Sequence, residues 1–204
     1  MKTKLAIILT LINLAFYSLS EAIPAKVGEN APDFKASGAL KGEEHQLSSY
    51  KGKFVVLEWF NKDCPYVKKH YNSGNMQKLQ KDYTQKGVVW LTLISSAPGK
   101  QGYLTTEEAK KVYNEKQAGS TDVLIDAEGT IGTLYGAKTT PHMFIINPEG
   151  KLIYNGAIDD TPSSDSDDIA KSKNYVVLAL TQSMTGKPVT QIQTKPYGCS
   201  VKYK

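Results

Sequence analysis

No arginine occurs anywhere in the 204 residues, so all 25 basic side chains are lysines. Lysine supplies charge but not a planar, bidentate fork, which excludes any site that grips its ligand through a guanidinium. Cysteine is nearly as scarce, with only Cys64 and Cys199. Val67 stands where a Cys-x-x-Cys motif beginning at Cys64 would place its second thiol. No basic patch with interleaved aromatics is present, so nucleic-acid binding is not expected and the lysines read as a solvated surface. Calcium-loop spacing is also missing from the acidic stretch Asp159 to Asp168, which reads as a solvated linker.

Long apolar runs are confined to the N-terminus. Lys2 and Lys4 precede a run from Leu5 to Leu19, broken by Thr10 and Asn13 and followed by Ser20-Glu21-Ala22. This is the charged, apolar and small-residue pattern of a secretory signal peptide. The run falls short of the roughly 20 residues that span a bilayer. Residues 1–22 are therefore expected to be removed after Ala22, giving a periplasmic or secreted protein with no membrane span in its mature part. In an oxidising compartment, two cysteines are expected to pair. A domain of this length does not need a staple for stability. Whether such a disulfide is structural or functional stays open.

The most informative stretch that is present runs from Phe54 to Val67, Phe-Val-Val-Leu-Glu-Trp-Phe-Asn-Lys-Asp-Cys-Pro-Tyr-Val. Its β-branched and aromatic first half reads as a strand buried on both faces. Pro65 suits the first turn of a helix, where its missing N–H has no intrahelical partner. Cys64 then lies beside unpaired N–H groups and the positive end of the helix dipole, which favours thiolate, the reactive form. The polar Asn61-Lys62-Asp63 lead-in predicts a thiol outside the core.

Further along, apolar spacing predicts a helix over 65–86, interrupted near Ser73-Gly74. A buried strand is expected over 88–94, and a helix over 105–117 that opens with the capping box Thr105-Thr106-Glu107-Glu108. A short strand over 122–126 and a short helix over 128–135 follow. A hairpin turns at Asn147-Pro148-Glu149-Gly150, and a last helix spans 174–184. Ala31 to Phe34 is expected to start a first, edge strand. Strands alternating with helices imply an α/β fold with a mostly parallel sheet, and chemistry at the C-terminal strand ends. Residues 23–186 form the expected domain, and 187–204 a tail carrying Cys199.

This order, with a strand leading into Cys64-Pro65, resembles the thioredoxin fold, a three-layer α/β/α arrangement around a mixed central sheet. Thr139-Thr140-Pro141 before Met143 to Ile146 is similar to the cis-proline loop that faces the active cysteine in that fold. Gly28-Glu-Asn-Ala-Pro32-Asp-Phe34 resembles the opening of the redoxin branch, the alkyl hydroperoxide reductase and thiol-specific antioxidant superfamily with its peroxiredoxin-like members. The resemblance covers about residues 28 to 186. The chain departs from it in three ways. The second thioredoxin cysteine is Val67. The peroxiredoxin Pro-x-x-x-Thr/Ser-x-x-Cys pattern fails, because Leu57 and Asn61 occupy its first two places. The arginine that peroxiredoxins use is missing altogether. The match is therefore to an atypical single-cysteine redoxin.

The resemblance implies roles for particular residues. Cys64 is the nucleophile toward disulfides or hydroperoxides. Glu58, six residues upstream, matches a buried acid that moves protons for it. Pro65, Thr140 and Pro141 line the substrate groove. Cys199 is a resolving thiol if the tail folds back to Cys64. An external reducing thiol or protein disulfide partner is implied, and no cofactor. Two other readings share the fold: a copper-binding or metallochaperone module using Cys64, Cys199 and a histidine, and a non-catalytic scaffold. Of the histidines, His142 follows Pro141 and either reaches the cysteine region as a base or metal ligand or points away along its strand, His70 is expected on the surface, and His45 in a turn.

Overall fold

Alternation along the strand Val55–Trp59 organises the whole molecule. Val55, Leu57 and Trp59 face one hydrophobic core, while Val56 and the following Phe60 face another. All five strand residues are buried. In the computed structural model, residues 24–204 are described, so the signal-peptide expectation lies outside the described residues.

The element order is β1 (Lys35–Ser37), β2 (Glu44–Gln46), β3 (Val55–Trp59), α1 (Pro65–Asn72), α2 (Asn75–Thr84), β4 (Val89–Ile94), α3 (Thr106–Glu115), β5 (Asp122–Ile125), α4 (Thr130–Tyr135), β6 (Thr139–Thr140), β7 (His142–Ile146), β8 (Leu152–Gly156), α5 (Tyr175–Met184) and β9 (Cys199–Ser200). The central sheet runs β5-β4-β3-β7-β8. β3 is parallel to β4 and antiparallel to β7, so the sheet is mixed. Helices α1, α2, α3 and α5 cover the face that carries Val56, Trp90 and Met143. On the other face, Ile131 and Tyr135 of α4 and Leu47 pack with Leu57, Trp59 and Phe144. Glu58 lies between Thr92 and Met143 in register, on the α1–α2 side.

Local chemistry explains most boundaries. Thr105 accepts from the Glu108 N–H, and the Glu108 carboxylate accepts from the Thr105 N–H at 2.8 Å, which completes the capping box of α3. Gly74, at φ +77°, separates α1 from α2 in a conformation that glycine reaches without steric cost. Asn174 caps α5 by accepting from the Val177 N–H at 2.9 Å.

Several expectations need correction. The first strand starts at Lys35 and pairs with β2 in a separate hairpin, while the chain before it bridges Lys151 at the β8 edge through Asn30, and the chain after it bridges Leu124 of β5 through Gly38. Asp33 turns the chain there, because its carboxylate accepts from the N–H groups of Phe34 and Ser48. His45, read as lying in a turn, is buried in β2 and bonds the Asp122 carboxylate at 2.9 Å. His70, expected at the surface, is 0% exposed. Asp159, expected in a solvated linker, is likewise buried, at 3% exposure.

Residues 187–204 strap across the sheet end. Thr194 bonds the Tyr154 hydroxyl at 2.7 Å and accepts from the Ala157 N–H at 2.9 Å. β9 then pairs antiparallel with β6, placing Cys199 opposite Thr140. Beyond it, Ala97 N–H donates to the Lys202 carbonyl at 2.8 Å, and the Tyr203 hydroxyl bonds the Ala137 carbonyl at 2.8 Å. The domain leaves room for this strap at glycines. A Cβ on Gly156 would collide with Thr194, and one on Gly132 with the Tyr203 hydroxyl.

Gly156→Ala should therefore loosen the strap, at an overpacking cost of about 1–3 kcal/mol. Limited chymotrypsin digestion should cleave after Tyr197 faster than in the wild type, while the core stays protected. Unchanged cleavage would show that the strap is not seated on Gly156.

Candidate active site

Cys64 is the N-cap of α1, and Pro65 occupies the first helical turn, as the spacing predicts. The polar lead-in does not expose the thiol, however. Cys64 is 0% exposed and Asn61 1%. Asn61 turns inward, accepting from the Asp63 N–H at 2.9 Å and donating to the Gln101 carbonyl at 3.3 Å. The sulfur itself is covered by the tail.

The Thr140–Pro141 peptide is cis. The Thr140 carbonyl lies 3.0 Å from the Cys64 sulfur, which donates to it as a thiol. Thr140 and Pro141 are both buried beside Cys64, while Pro65 is exposed at the helix start. β9 pairs with Thr140, which brings the Cys199 thiol near enough to Cys64 for each to shift the other's ionisation. Both cysteines are free thiols. Gly198 makes the approach possible: its φ is +133°, and any Cβ there would strike the Thr140 carbonyl.

The two thiols are electrostatically unequal. Burial raises the Cys64 pKa, but hydrogen bonds from the Cys199 thiol, the Cys199 and Val67 N–H groups and the Thr140 side chain outweigh it, and the net shift is downward. Cys199 moves the other way, pushed up to about 11 by burial, by its hydrogen bond to Cys64 and by the nearby Cys64 charge. The pair therefore holds its first negative charge on Cys64, the nucleophilic form of a thiol.

Glu58 is 1% exposed and sits in the same side-chain layer as Cys64. Its carboxylate accepts from Tyr71 at 2.7 Å, Trp90 at 2.8 Å, Gln80 at 2.9 Å and Thr92 at 3.4 Å. None of its hydrogen bonds goes to Cys64. Burial raises its pKa, and the four donors only partly offset that. Its connection to the cysteine runs through Tyr71, which lies on α1, the helix that Cys64 caps.

The histidines are engaged elsewhere. His142 accepts from the Lys138 N–H at Nδ1 (3.1 Å), so Nε2 carries the proton that it shares with Asn155 at 2.8 Å. Burial holds its pKa down to about 4, so it is neutral near pH 7. Among the described residues, no group of three or more His, Cys, Asp or Glu side chains is placed to hold a metal ion. The β6–β9 pairing was not legible in the sequence. Its one signal was Gly198 beside Cys199, a small residue next to a thiol.

Two measurements check this arrangement. Removing the Cys199 thiol with Cys199→Ala should raise the pH midpoint of Cys64 alkylation, because a donor to the thiolate is lost. An unchanged or lower midpoint would contradict the thiol–thiol contact. Glu58 gives the second. A carboxyl whose pKa is raised on folding binds more protons folded than unfolded, so stability falls as pH rises from the ordinary carboxylate range through the folded pKa. Glu58→Gln should flatten that decline in urea unfolding between acid and neutral pH, and an identical slope would contradict the raised pKa.

Comparison with known proteins agrees with this fold. Thiol-disulfide oxidoreductase ResA of Geobacillus thermodenitrificans is 27% identical over 150 residues, 72% of this chain and 80% of ResA. An uncharacterized conserved protein from Geobacillus kaustophilus superposes with a TM-score of 0.72 at 27% identity, covering 88% of this chain and 93% of that one. A hypothetical protein from Sinorhizobium meliloti shares the fold, with a TM-score of 0.73 at 22% identity, over 89% of this chain and 97% of that one. The AhpC/TSA family matches residues 27–155, from the leader through the cis-proline loop and into β8. This chain is a thioredoxin-fold redoxin and belongs to the AhpC/TSA family.

Proposed function

We propose that the chain is an exported thiol-disulfide oxidoreductase whose redox pair, Cys64 and Cys199, is assembled from distant parts of the sequence. The observation that carries this reading is the pairing of β9 with β6, which sets Cys199 opposite Thr140, the residue of the cis-Pro141 loop whose carbonyl accepts from Cys64. Similarity to thiol-disulfide oxidoreductase ResA supports the reaction class. Export is supported by the leader-like residues 2–22, since a protein disulfide persists in an oxidising compartment.

In this scheme the Cys64 thiolate attacks one sulfur of a substrate disulfide. A Cys64–substrate mixed disulfide forms, and the other substrate sulfur leaves as a thiolate. Cys199, having lost its proton to solvent or to that departing thiolate, attacks the Cys64 sulfur and releases the second substrate thiol. The chain ends with a Cys64–Cys199 disulfide, and the substrate has gained two electrons and two protons. An external reducing thiol resets the pair by the same exchange in reverse. Because Cys64 is buried under β9, the substrate reaches it only when the tail lifts. Thr140, Pro141 and Pro65 form the rim that the tail vacates. Glu58 acts on Cys64 through Tyr71 and α1, as a positioning residue.

The absence of arginine and of the peroxiredoxin pattern weighs against a hydroperoxide as the main substrate. With a peroxide, Cys64 would become a sulfenic acid, and Cys199 would condense with it and expel water. Both routes converge on the same internal disulfide.

Disulfide exchange with a dithiol reductant should separate the roles. Cys64→Ser should abolish turnover. Cys199→Ser should trap substrate on Cys64 as a mixed disulfide visible by intact mass spectrometry. Full activity in Cys64→Ser, or no trapped species in Cys199→Ser, would sink the scheme. Faster turnover of a hydroperoxide than of any disulfide would reassign the substrate.

A further inference from the structure

The tail has one anchor that the exchange scheme does not use. Lys69 and Asp159 form a buried ion pair, with side chains 0% and 3% exposed and an Nζ–Oδ2 separation of 3.5 Å. Lys69 also donates to the Thr161 carbonyl at 3.1 Å and lies 5.9 Å over the Tyr197 ring. The Tyr197 hydroxyl donates to the other Asp159 oxygen, and the Thr161 N–H to the same atom at 3.1 Å. His70 adds a neutral neighbour: its buried Nε2 has no hydrogen-bond partner and sits 3.7 Å from Asp159. Burial and the Asp159 charge keep the Tyr197 phenol protonated.

Such a cluster is a poor way to gain stability alone, because desolvating two charges offsets most of their attraction. Its location points elsewhere. Lys69 lies on the helix that Cys64 caps, and Tyr197 stands two residues before Cys199. Between Tyr197 and Cys199 there is only Gly198, whose backbone turns against the Thr140 carbonyl. The Tyr197 ring also meets Tyr66 in an edge-to-face contact, with centroids 5.7 Å apart. The direction in which the chain enters that glycine turn is therefore set by Tyr197. The remaining tail anchors, Thr194 and Tyr203, hold the strap further from the sulfur.

We propose that Asp159, joining Lys69 of α1 to Tyr197 of the tail, is a positioning residue that sets how closely Cys199 is held against Cys64, and with it the equilibrium constant for the disulfide between them. This inference rests on the thiol-pair reading above. The cluster raises the effective concentration of one thiol at the other, as preorganisation does for any intramolecular reaction. Weakening it should favour the open dithiol over the bridge.

The test equilibrates the full chain in glutathione buffers of graded oxidation state, quenches by alkylation and measures the bridged fraction by mass spectrometry. Tyr197→Phe keeps the ring stack and removes one hydrogen bond to a buried carboxylate. It should lower the ratio of bridged to reduced protein by about tenfold at a given buffer. Asp159→Asn should shift it in the same direction. Tyr203→Phe, which removes a hydroxyl bond at the remote anchor, should leave the ratio unchanged, and thermal unfolding of the reduced forms checks that all variants fold. A wild-type ratio in Tyr197→Phe, or an equal loss in Tyr203→Phe, would overturn the positioning role while leaving the thiol pair standing. If the wild type forms no Cys64–Cys199 bridge in any buffer, the thiol-pair reading itself fails and takes this inference with it.

Discussion

Two residue pairs of backbone, Thr139 with Ser200 and Thr140 with Cys199, hold the site of this protein together. Without that short ladder, Cys64 would be a helix-capping thiol open to solvent, and Cys199 a thiol on an untethered tail. With it, the sulfur of Cys64 is buried, and its thiolate is favoured by the second thiol beside it. A ladder of this size is marginal as isolated structure. It persists because the segments around it are anchored by Thr194 on Tyr154, by Tyr197 on Asp159 and by Tyr203 on Ala137. The surroundings of Cys64 thus depend on packing contributed by the tail.

The central sheet was legible in the sequence because its signals are local. Val55 to Trp59 has the composition of a strand buried on both faces, Thr105 to Glu108 spells a capping box, and Gly74 breaks a helix where its neighbours cannot. Cys64-Pro65 announced a helix start for the same reason: proline and the helix N-terminus are matched within adjacent residues. Each of these readings needs only a few neighbouring side chains and a known period.

What escaped depends on partners far away in the chain. Cys199 meets Cys64 through a strand pairing whose two members lie 59 residues apart, between Thr140 and Cys199. Asp159 looked like part of a solvated acidic run, and only Lys69 and Tyr197 turn it into a buried group. His70 has polar sequence neighbours, but α1 turns it inward beneath the 157–161 loop. Even the buried state of Cys64 was hidden, since the residues that cover it are not those that flank it. Tertiary closure decided each of these, and no local pattern encodes it.

Separating the two cysteines has a thermodynamic consequence. In a Cys-x-x-Cys site, a single helical turn holds the thiols together whether or not the rest of the protein is tightly packed. Here their proximity rests on how the tail docks. Any free energy by which tail docking favours the Cys64–Cys199 bridge must, by reciprocity, be the free energy by which the bridge favours docking. On the proposed thiol pair, the reduced protein would release its tail and uncover Cys64, while the oxidised protein would have its tail clamped and its site closed. Under that proposal, access of substrate and redox state would be one linked variable, set by the same non-covalent contacts. A thiol pair built this way can be retuned by substitutions at Thr194, Tyr197 or Gly156, none of which touches sulfur.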